Sequence, residues 1–173
     1  MSGFKINRAP VLTLWAAIVA ERLGFDRDEA LTLGRAVAGL TAYAKGVRLG
    51  IIEPTPKEIA EKRKKLEHGE QLTVALLGRA VPVVKTPAGI RALAKDKPDS
   101  PAHVQRYLSS KFGEHLEDAQ KAMMTLARSL ARADLARRAF QLYEQFRPAI
   151  PEGEAGWGAK GVLDLAKIES LVA

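Results

Sequence analysis

From Ala9 to Ala20 the chain is apolar almost without interruption, broken only by Pro10 and Thr13. A helix that is apolar all round must be buried all round. Whatever this chain folds into therefore has to close around that segment. The run is far short of the roughly 20 apolar residues that span a bilayer. Lys5 and Arg8 before it, and small residues near its end, give it a superficial likeness to a secretory signal. It passes directly into Glu21 and Arg22 and then into Leu23-Gly24, a helix end, as a buried helix would. The expectation is a soluble chain with no membrane partner.

The 173 residues make one ordinary domain, or one with a small appendage, and 47% of them are apolar, enough for a core without metals or disulfides. The division expected is a helical domain over 1–150, followed by a Gly/Pro-rich loop and a short C-terminal helix, 151–173, packed on it. Cysteine is absent, which excludes disulfides and thiolate chemistry and fits a reducing, cytoplasmic setting.

Helix starts recur in one form, a hydroxyl residue before proline: Thr55-Pro56, Thr86-Pro87 and Ser100-Pro101. Glu58 completes a capping box with Thr55. These signals and the apolar spacing predict helices near 9–23, 27–45, 56–67, 70–79, 87–95, 101–112, 115–130, 132–146 and 162–171. The stretch 80–85 is β-branched but holds Pro82, so it reads as at most one short edge strand. With no second strand of comparable quality after it, the expected fold is all-α, a compact multi-helix bundle. Ala30, Gly34, Ala38 and Ala42 lay a small-residue strip along the second helix, suited to a close helix crossing within the chain or, alternatively, to a dimer seam.

A formal net charge of +7 permits binding to a polyanion. The densest cluster, Lys62-Arg63-Lys64-Lys65, is surrounded by Glu58, Glu61 and Glu67 and reads as a solvated helix face. Residues 19–33 have helix-turn-helix-like spacing. The helix that would enter the groove opens with Asp26, Asp28 and Glu29, the wrong sign for phosphates and the right one for capping. Helix 101–112 has better chemistry for a nucleic-acid partner. Val104 and Leu108 face inward, while His103, Gln105, Arg106 and Ser109 offer donors outward and Lys111 can reach a phosphate.

Gly156 to Gly161 spells G-x-G-x-x-G, yet neither a preceding strand nor a following βαβ unit is expected. What remains is a weak anion site at Gly158, Lys160 and Gly161, or a turn that lets Trp157 dock on the bundle. The histidines, His68, His103 and His115, lack ligand spacing, so no metal site and no cofactor is expected. No serine sits in a nucleophile elbow, which leaves no catalytic residue to name. The function that follows is a non-catalytic binding module, with nucleic acid the leading partner. The alternatives are a homo-oligomeric helical protein and a helical enzyme or ligand binder with a pocket near Trp157.

Overall fold

The computed structural model describes residues 3–48, 72–94, 97–149 and 160–172. The apolar run forms α1 (Arg8–Arg22), buried without a break from Pro10 to Ala20. Pro10 falls in the first turn, where a missing N–H costs nothing. The buried Thr13 hydroxyl donates to the Ala9 carbonyl at 2.9 Å. Trp15, fully buried, donates its indole N–H to the Ala139 carbonyl at 2.9 Å and meets Phe146 edge-on with ring centroids 5.3 Å apart.

Four helices close around α1: α2 (Arg27–Arg48), α3 (Pro101–Phe112), α4 (Leu116–Arg128) and α5 (Arg132–Phe146). The connection from α1 to α2 uses Gly24 at φ +117, a conformation that side chains resist. Asp26 and Glu29 then cap α2 reciprocally. The Asp26 carboxylate accepts from Glu29 N–H at 2.8 Å, and the Glu29 carboxylate accepts from Asp26 N–H at 3.1 Å. The small-residue strip lies against α1: a Cβ on Gly34 would run into the Thr13 carbonyl oxygen and the Ala17 nitrogen. The apolar stripes of α4 (Ala122, Met123, Leu126) and α5 (Leu135, Ala139, Leu142, Tyr143, Phe146) are buried within the chain.

The all-α expectation is overturned. The chain is α+β, with two antiparallel sheets. The segment expected as helix 70–79 contributes β2 (Leu72–Leu76) and the start of β3 (Arg79–Thr86). Leu77 and Gly78 join them with φ +49 and +75, the two positive values of a tight hairpin turn. The expected helix 87–95 is instead β4 (Gly89–Ala94), which continues to β5 (Lys97–Pro98). Thr86-Pro87 is accordingly a hairpin corner. The Thr86 hydroxyl donates to the Gly89 carbonyl at 2.7 Å and accepts from Ala88 N–H at 3.2 Å. The sheet order is β2-β3-β4-β5, so the supposed edge strand at 80–85 is an inner strand. Pro82 is tolerated in its pairing with β2, opposite Thr73. Val83 and its partner Ala92 are buried, as is Val81.

Side chains of α2 cover the side of β4 at Ile90 and Ala92, before the strand pairs with β5. Glu29 accepts from Ile90 N–H at 2.8 Å, and Thr32 accepts from Ala92 N–H at 3.1 Å. Edge donors that would otherwise need water or another strand are satisfied by the helix.

The expected C-terminal helix 162–171 shortens to α6 (Leu165–Ser170), capped by Asp164, which accepts from Ala166 N–H at 3.0 Å. Before it runs β6 (Lys160–Asp164), antiparallel to β1 (Gly3–Asn7). The expected helix 56–67, with its Thr55-Pro56 start and the lysine-rich cluster, lies outside the described residues, as does Trp157.

Tyr143 sits between α1 and α5, its hydroxyl donating to the Arg8 carbonyl at 3.4 Å. Burial pushes its phenol up to about 12, against the opposing pull of Arg147 and Arg8. The folded state thus favours the neutral phenol. This contribution is whole below the ordinary value of 10 and is lost as pH climbs through about 12. Across that window the wild type should lose roughly 2 to 3 kcal/mol more than Tyr143→Phe, which cannot ionise. Urea denaturation at neutral and alkaline pH checks this; identical slopes for the two proteins would refute it.

Candidate functional site

The start of α3 is held by three hydrogen bonds of two consecutive residues, Asp99 and Ser100. Asp99 N–H donates to the Ala92 carbonyl at 2.8 Å, which anchors the segment to β4. The Asp99 carboxylate accepts from Ser100 N–H at 2.9 Å, and the Ser100 hydroxyl accepts from His103 N–H at 3.3 Å. Ser100-Pro101 is therefore a helix start of the kind its sequence indicates. Val104, Leu108 and Phe112 are buried at four-residue spacing and fix the rotation of the helix.

That rotation leaves His103, Arg106, Ser109, Ser110 and Lys111 exposed on one outer surface. α3 contains no acidic residue. Among the described residues, no carboxylate pairs with Arg106 or Lys111. Gln105 is placed differently from the other residues named on this helix. It is half-buried at the side of α3, and its side-chain oxygen accepts from the Arg27 guanidinium at 2.7 Å. Arg27 also lies 3.8 Å from Glu21.

The other flank carries Arg35, again from α2. It stands 3.8 Å from the Asp99 carboxylate and 6.0 Å from the centre of the Tyr107 ring. Burial raises the Tyr107 phenol above its ordinary value, with the Arg35 charge opposing. Arg35 and Tyr107 line a cavity of about 240 Å³ together with Thr13 and Gly39.

A larger cleft, about 460 Å³, opens where α2, β4 and α3 meet. Arg27, Asp28 and Leu31 come from α2, Arg91 from β4, and Ser100, Pro101, Ala102 and Gln105 from α3 and its cap. Arg91 is 7% exposed. It donates to the main-chain carbonyls of Ile90 at 2.9 Å and Ala88 at 3.4 Å.

The other residues named from the sequence lie elsewhere. The 19–33 segment is the α1–α2 hairpin, with Val19, Ala20, Ala30 and Leu33 buried; its second helix packs on α1 and on the edge of β4. Lys160 is exposed at the start of β6, and Gly161 pairs with Ile6. A Cβ on Gly161 would run into the Ala149 carbonyl, so this glycine admits the bridge between the Ala149 segment and β6. Gly158 is outside the described residues. His115 stacks on Phe4 with ring centroids 4.2 Å apart. Among the described residues, no group of three acidic or histidine side chains is placed to hold a metal ion, and no helix is long and apolar enough to cross a membrane.

Sequence reasoning passed over Arg27 and Arg91. Arg27 stands among Asp26, Asp28 and Glu29, whose charges hide it. Arg91 belongs to Gly-Ile-Arg-Ala-Leu-Ala, which was read as helix. An arginine within an apolar stretch that follows a Pro-Ala-Gly turn was the available signal. Set against family models, curated proteins and solved structures, the chain matches none.

Proposed function

We propose that this protein is a non-catalytic binding module that holds nucleic acid on the outer surface of α3. The observation that carries this reading is the acid-free face of His103, Arg106, Ser109, Ser110 and Lys111, with Arg27 and Arg35 of α2 on its two flanks. Arg106 and Lys111 neutralise phosphates, while His103 and the serines supply shorter-range donors. Gln105 acts here by orienting Arg27 rather than by touching the nucleic acid. The net charge of +7 supports association with a polyanion.

Fluorescence anisotropy with labelled duplex DNA, single-stranded DNA and single-stranded RNA, across a salt series, tests the proposal. Binding should weaken steeply with salt. The double variant Arg106→Ala/Lys111→Ala should make the slope of log K against log salt shallower by about 2. Failure of all three nucleic acids to bind at low salt sinks the reading. An unchanged slope in the double variant removes α3 from it.

A further inference from the structure

A buried guanidinium without a carboxylate in direct contact is costly to keep. Arg91 is in that position. Its partners are the main-chain carbonyls of Ile90 and Ala88, which aim the group without neutralising it. Among the described residues, no carboxylate lies within ion-pair distance of it. The Glu29 carboxylate of the neighbouring helix approaches the same point beside Gly89 as the Arg91 guanidinium, and it accepts from the N–H groups of Asp26 and Ile90.

Arg91 faces a cleft of about 460 Å³ whose wall also carries Arg27, a size in the ordinary range for small-molecule sites. Both helix starts at this cleft are already capped, α2 by Asp26 and α3 by Ser100. Its anion donors are therefore the two guanidiniums rather than the helix ends, Arg91 held by main-chain carbonyls and Arg27 by Gln105 and Glu21. Leu31, Pro101 and Ala102 add apolar surface, and Asp28 adds one carboxylate.

We infer that this cleft binds a small phosphorylated molecule bearing hydroxyl groups, its phosphate held by Arg91 and Arg27 and a hydroxyl donated to Asp28. The planar donor fork of arginine matches phosphate oxygens. The cleft is larger than inorganic phosphate requires, which leaves room for a carrier. Asp28 repels a bare phosphate chain and accepts from a sugar-like hydroxyl, so it selects the small ligand over a polynucleotide. The site shares Arg27 with the flank of the α3 surface, but His103, Arg106, Ser109 and Lys111 do not line it.

Titration of the full, isotopically labelled chain with ribose 5-phosphate, ribose and inorganic phosphate, followed by amide chemical shifts, tests the inference. Ribose 5-phosphate should shift Arg91, Ala102 and Gln105 saturably, inorganic phosphate should do so more weakly, and ribose should not. Arg27→Gln and Arg91→Lys should each weaken binding about tenfold. Arg27 is half exposed at its side chain, so its replacement reads out binding without loss of the fold. The inference is overturned by the absence of a saturable shift in the wild type, by equal binding in Arg27→Gln, or by ribose binding as well as its phosphate. It is equally overturned if a polynucleotide shifts these amides and ribose 5-phosphate does not.

Discussion

Gly34→Leu should abolish the native fold, and Gly34→Ala should cost about 2 kcal/mol, the remainder after roughly 1 kcal/mol of gained helix propensity is set against overpacking of up to about 3. At this crossing a Cβ would meet main-chain atoms of α1, the Thr13 carbonyl oxygen and the Ala17 nitrogen, the latter at 2.8 Å. A flexible side chain could swing away; the backbone of a helix buried on every side cannot. Gly39 on the same helix is the control. It is exposed, and a Cβ there meets nothing within 4 Å, so Gly39→Ala should gain about 1 kcal/mol. Urea denaturation followed by far-ultraviolet circular dichroism measures both. Tolerance of Gly34→Leu would mean that α1 and α2 do not approach this closely.

Trp15→Ala should cost about 3 to 5 kcal/mol, a large part of the 5 to 15 kcal/mol that holds a typical domain together. Trp15 is fully buried, packs edge-on against Phe146 and donates to the Ala139 carbonyl. It joins the first helix of the chain to the last long one. Trp15→Phe keeps most of the apolar contact and loses the indole donor, and should recover about half of that loss. If Trp15→Phe proves as damaging as Trp15→Ala, the hydrogen bond rather than the packing dominates the site.

The parts of this fold legible in the sequence are those where a local pattern has one physical solution. Ala9–Ala20 can only be a buried helix, and the stripes of α4 and α5 repeat at the helical period and are buried where that period places them. The four-stranded sheet was hidden for a different reason. β4 is Gly-Ile-Arg-Ala-Leu-Ala and β2 is Leu-Thr-Val-Ala-Leu, sequences whose alanine and leucine favour helix and whose strand conformation comes from pairing with β3 and cover by α2. Leu77 conceals a turn, since a leucine at φ +49 is not what a reader expects beside Gly78. Thr-Pro opens a helix in one setting and a hairpin in another, and only the following chain decides.

The same division holds for the candidate site. The exposed surface of α3 follows from one helix and its buried face, so His103, Arg106, Ser109 and Lys111 could be located without coordinates. Gln105 stands at the side of α3, and its direction depends on Arg27, a residue of another helix. The cleft was invisible for the same cause. It exists only where α2, β4 and α3 meet, and β4 had been read as helix.

Glu29 and Thr32 use side chains rather than another strand to shield the part of β4 that precedes its pairing with β5. This margin is therefore safe only once α2 has docked. A nascent chain that has formed the hairpins of residues 72–94 before that docking carries an open hydrogen-bonding row, available to a neighbouring molecule. Because α2 precedes the sheet in the chain, it leaves the ribosome first, and synthesis delivers the cover before the edge it must cover. A circularly permuted chain that placed α2 after the sheet would lose that ordering and should aggregate on refolding even if its final structure were the same.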